Sequence, residues 1–101
     1  MKMISYWKRH EEVYDDNGMI VIMGMYNHKN NDNNGRKALG VHWGDYPQSR
    51  GLLSPCVISE VTRSAILAGL LHQAVARANL QQIQSITKAI EFFRLPIKNS
   101  D

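Results

Sequence analysis

The sequence predicts a mixed α/β (α+β) domain: three antiparallel strands and a long helix, followed by a fourth strand or a second helix. Three observations carry this. Two apolar runs, Met19–Tyr26 and residues 38–43, flank a polar, asparagine-rich loop, which is the pattern of a hairpin with a long connection. From Ser59 onward, Val61, Ala65, Ala68, Leu71, Val75 and Ala78 recur at three- and four-residue steps, the spacing of one helix face. With 101 residues, 44% hydrophobic and 21% charged, the chain has material for one domain with a modest core.

Residues 1–17 mix Tyr6, Trp7 and Tyr14 with alternating charge and read as a solvated N-terminal arm whose aromatics cover the sheet edge. Asp15-Asp16-Asn17-Gly18 is a turn signal leading into the first strand. That strand is dense in Ile, Val and Met and carries one glycine, Gly24. In the second, Leu39, Val41 and Trp43 share one alternate register, with Gly40, His42 and Gly44 on the other. Between them, Asn34-Gly35 supplies a residue that accepts positive φ.

Asp45-Tyr46-Pro47-Gln48 reads as a turn, and residues 48–57 as a short third strand antiparallel to the second, limited by Pro55 to an edge or an end. Ser59 or Thr62 suits a helix N-cap, and Glu60 suits the first turn beside the helix dipole. The apolar face that follows is wide, which predicts a helix lying flat on the sheet. Arg63, His72, Gln73 and Arg77 are its polar remainder. Leu80, Ile83, Ile86, Ile90 and Phe93 are again helically spaced, whereas Ile86, Thr87 and Ile90 also suit a strand, so both assignments stay open. The domain is expected over residues 18–94, with a polar tail at 95–101.

Several function classes drop out on composition. Cys56 is alone, which rules out an intrachain disulfide and fits a reducing compartment. No apolar run approaches the ~20 residues of a membrane span, and the first residues are too polar for a signal peptide. No membrane partner is expected, and the location expected is intracellular, cytoplasm or nucleus. A net charge of +3 and a pI near 9.2 permit nucleic-acid contact without specifying it. His10, His28, His42 and His72 lack metal-ligand spacing, Asp32 with His28 does not define a site, and the seven glycines form no phosphate cradle. No metal site is read from these residues.

The hairpin also carries a resemblance. Tyr26, then Asn34-Gly35-Arg36, then Ala38, Gly40, Val41, Trp43 and Gly44 resemble the first two strands of type 1 ribonuclease H domains. Thr62, Arg63 and Ile66 resemble the opening of that family's first helix. The resemblance covers roughly residues 18–90. It implies a partial ribonuclease H-like fold, and an endonuclease that cuts RNA in RNA–DNA hybrids with two Mg²⁺ ions held by carboxylates.

Under the same resemblance the metal-binding aspartate falls on His28 and the helix glutamate on Ala65. Only Glu91 lies near a third ligand position. Hard ions need oxygen ligands, and one carboxylate cannot hold two of them. The expectation is therefore a degenerate, shortened domain with no intact catalytic residue and no cofactor. It would touch an RNA–DNA hybrid weakly through Lys29, Asn34, Arg36, Lys37, Thr62 and Arg63. One alternative is an active nuclease using Mg²⁺. Another is an interaction module that self-associates, or pairs with another chain, through an exposed strand edge.

Overall fold

In the computed structural model, which describes residues 6–27 and 35–95, eight elements follow one another. They are β1 (Trp7–Asp16), β2 (Met19–Tyr26), β3 (Arg36–Trp43), β4 (Gln48–Ser49), β5 (Leu52–Leu53), β6 (Cys56–Ile58), α1 (Glu60–Ala76) and α2 (Leu80–Arg94). β1, β2, β3 and β6 form an antiparallel sheet in that order, and β4 pairs only with β5. The class is mixed α+β, as the periodicities predicted.

The β2–β3 hairpin runs without a bulge from Met19 opposite Trp43 to Tyr26 opposite Arg36. Strict alternation then sorts its side chains. Val21, Met23, Leu39 and Val41 enter the core beneath the helices, while Ile22 and Ala38 point to the other side, beneath Trp7. Both faces of the two central strands are covered. Gly35, at the start of the return strand, has φ +82°, and a Cβ there would stand 2.3 Å from the Tyr26 carbonyl oxygen.

Of the arm expected over residues 1–17, Trp7–Asp16 is instead a ten-residue strand of the sheet. It is joined to β2 by a two-residue turn in which Asn17 and Gly18 both have positive φ, +52° and +107°. Such a turn matches the twist of a hairpin, and Asp15 Oδ1 accepts the Gly18 N–H at 3.0 Å. The register slips twice, between Lys8 and Glu11 and between Glu12 and Tyr14. These bulges put Trp7 on the far face and the consecutive pair Val13 and Tyr14 in the core under the helices. Among the described residues the sheet therefore begins at Trp7 and not at residue 18. Lys88 Nζ meets Glu11 at 2.6 Å and links α2 to β1, although both side chains are at least half exposed, which holds the bridge below about 1 kcal/mol.

The single third strand expected at 48–57 is broken. Arg50 and Gly51, both at positive φ, fold Leu52–Leu53 back on Gln48–Ser49, and only Cys56–Ile58 pairs with β3. Pro55, which has no N–H to give a ladder, stands just before that pairing starts.

Residues 80–94 form a helix, so the strand alternative does not hold. Asn79 Oδ1 accepts the Gln82 N–H at 3.1 Å and caps it, and Ile86 and Ala89 are fully buried. This helix, α2, packs across β1, and α1 packs against α2. α1 therefore lays only part of its wide apolar face against the core. It buries Leu67 and Ala74, while Val61 and Val75 are left 83% and 59% exposed.

Candidate nucleic-acid interface

β6 pairs antiparallel to β3 with Ile58 opposite Leu39, so the chain leaves β6 toward the Arg36 end of β3. Ser59 and the first turn of α1 are thereby set beside Arg36 and Lys37. The result is a cleft of about 380 Å³ between the start of β3, the end of β6 and the first turn of α1. Arg36, Lys37 and Arg63 line it, with Glu60 as the one acidic group among them.

Ser59 is the N-cap of α1, but its side chain makes no capping bond. Its Oγ donates instead to Thr62 Oγ1 at 2.9 Å. The N–H groups of the first helical turn have no side-chain acceptor from the cap, and the positive end of the helix dipole points into a cleft already lined by cations. Arg63 lies over the Phe93 ring, 4.0 Å from its centroid, a contact that uses the guanidinium's charge rather than its N–H donors. Arg36 is exposed and stands opposite Tyr26 across the hairpin. Burial, then the neighbouring Tyr6, holds the Tyr26 phenol above its ordinary 10.0, while Arg36 draws it down.

Lys37, which lines the cleft, also holds the end of α2. Its Nζ donates to the carbonyl oxygens of Phe92 and Leu95 and stands 4.8 Å from the centre of the Phe92 ring. A cation is thus tied to the carboxyl end of α2, where the helix dipole favours it. Period-two alternation explains the placement: Lys37 shares the face of Leu39 and Val41, which is the face the helices cover. Lys37→Ala is expected to lower stability by about 1–2 kcal/mol, from two charge-assisted bonds at a partly solvated site. Arg36→Ala should stay within about 0.5 kcal/mol of wild type. Urea melts of the two variants check this, and equal stabilities would contradict the capping role.

The remaining expected site residues separate. His28, Lys29, Asp32 and Asn34 lie outside the described residues. Ala65 is exposed on α1 away from the cleft, and Glu91 is on α2, not on a fourth strand, with Arg94 Nη2 at 2.9 Å from its Oε1. Among the described residues no three or more His, Cys, Asp or Glu come together to hold a metal ion, and no helix is long and apolar enough to cross a membrane. Sequence reasoning missed an open apolar groove of about 690 Å³ between α1 and α2, with Leu67, Leu71, Val75, Ile90 and Phe93 in its lining. The helical periodicities of both segments were visible, but not that they would pack on each other.

With the cleft described, the chain can be set beside known proteins. No family model, curated protein or solved structure matches it.

Proposed function

We propose that the chain makes weak, mainly electrostatic contact with nucleic acid through this cleft, with an RNA–DNA hybrid as the duplex it takes, and does not cut it. One observation carries the reading: Arg36, Lys37 and Arg63, from segments far apart in sequence, converge on the uncapped first turn of α1. Phosphate is the ligand that guanidinium groups and a helix N-terminus both favour. The hybrid as partner rests on the resemblance of residues 26–44 to type 1 ribonuclease H domains. The absence of cleavage rests on His28 and Ala65 standing where that chemistry requires anionic oxygen. A partner of this kind places the chain in the cytoplasm or nucleus.

The test uses protein purified free of host nucleases and a labelled RNA–DNA hybrid at low salt, with Mg²⁺ or Mn²⁺ present. The hybrid is expected to show raised anisotropy and to be recovered intact. Metal-dependent cleavage would support the nuclease alternative instead. A hybrid that is neither bound nor cut would remove the reading altogether.

A further inference from the structure

The outward side of α1 is not covered by any of the described residues. Val61, Ala65, Ala68, His72 and Val75 follow one another at four, three, four and three residues, the seam spacing of two packed helices, and all five are exposed. Val61 and Val75 are β-branched apolar residues of a type usually buried. Gly69 lies next to Ala68, and a Cβ built on it meets nothing within 4 Å. Nothing in the packing of the described residues calls for this glycine, although glycine weakens a helix interior. The open groove between α1 and α2 runs beside the same seam through Ser64, Ala68, His72 and Val75.

We propose that this face pairs with the same face of a second copy of this chain, α1 antiparallel to α1 about a two-fold axis at Ala68. The register is self-complementary, as a two-fold contact demands. Val61 stands opposite Val75 of the second copy and Ala68 opposite its equivalent, with Ala65 and His72 one residue from register with each other. Ala68 and Gly69 carry little or no side chain at the axis, which lets the two helices approach closely.

Charge selects this occupant. Glu60 begins α1 and Arg77 caps its end, and both are exposed. In the antiparallel pair each Glu60 falls one residue from register with Arg77 of the other copy, and the helix dipoles oppose. A parallel pair would set like charges together at both ends. The sheet edges offer a poorer contact for self-association. β1 is twice bulged and carries Lys8, Arg9, Glu11 and Glu12, features that keep an edge strand from pairing, and β6 has three residues.

Sedimentation equilibrium of the full chain over a concentration series tests the proposal, with circular dichroism reporting the fold. The expected limiting mass is twice 11.5 kDa. Ala68→Glu, which places two carboxylates together at the axis, should leave a folded monomer at every concentration. Glu60→Arg and Arg77→Glu should each weaken dimerisation a few-fold, and the two together should restore it. That exchange keeps the test valid even if Ala68→Glu disturbs the helix. A wild-type chain that stays monomeric overturns the proposal, as does a dimer that withstands Ala68→Glu or reversals whose combination restores nothing.

Discussion

Trp7→Ala is expected to lower the stability of the folded chain by about 3–5 kcal/mol, the usual cost of emptying a buried aromatic site. In a domain of about 100 residues each kcal/mol moves the melting temperature by about 4–8 °C, so the midpoint should fall by roughly 12–40 °C. Trp7 opens β1, crosses β2 and lays its ring over β3. A Cβ built on Gly40 would stand 2.6 and 2.8 Å from the ring's Cζ2 and Cη2 atoms, and the Tyr26 ring packs edge-on with centroids 5.3 Å apart. The indole thus covers Ile22 and Ala38 on the face without helices.

Two companion substitutions identify the cause of this loss. Gly40→Ala should cost about 1–3 kcal/mol in the wild type by overpacking, and much less once Trp7 is Ala, because the methyl then enters vacated space. Trp7 Nε1 is buried with no hydrogen-bond partner among the described residues. Trp7→Phe should therefore cost less than Trp7→Ala, since it keeps a ring and removes an unpaired donor. If Trp7→Ala lost less than about 1 kcal/mol, residues 1–17 would be the solvated arm that the sequence predicted.

The β2–β3 hairpin was legible because nothing interrupts its pairing. Period-two alternation in 38–43 placed Leu39 and Val41 on one face, and Asn34-Gly35 marked the return, where Gly35 has the positive φ expected of it. The helical spacing of 80–93 was equally plain, and the burial of Ile86 and Ala89 decided it against a strand. β1 was hidden for a physical reason. Its two bulges make Val13 and Tyr14 adjacent core residues and remove the alternation by which a strand is read. The Asn17-Gly18 turn was visible, but the charged segment before it gave no apolar pattern to pair with β2.

At the cleft, sequence reading named Arg36, Lys37 and Arg63 but could not assign their separate roles. The bonds from Lys37 to Phe92 and Leu95 span more than fifty residues of sequence. Only the position of the end of α2 over β3 reveals them. The exposed seam of α1 was misread for a similar reason. A wide apolar face says that a helix has more than one surface to cover, not that the sheet of the same chain covers all of it.

Binding of an RNA–DNA hybrid as a function of salt, measured for the wild type and for Arg36→Ala/Arg63→Ala, tests the central claim most directly. Each phosphate neutralised on a duplex contributes roughly −0.9 to the slope of log K against log salt, so about four contacts give a slope near −4. Arg36 and Arg63 are the right pair to remove. Lys37 is tied to the carbonyls of α2, whereas Arg36 is exposed and the Phe93 stacking of Arg63 is worth only about 0.5–1 kcal/mol of stability. The account predicts that the folded double variant binds more weakly and that its slope flattens to about −2. A slope unchanged by the loss of both charges, or wild-type binding indifferent to salt, would contradict it.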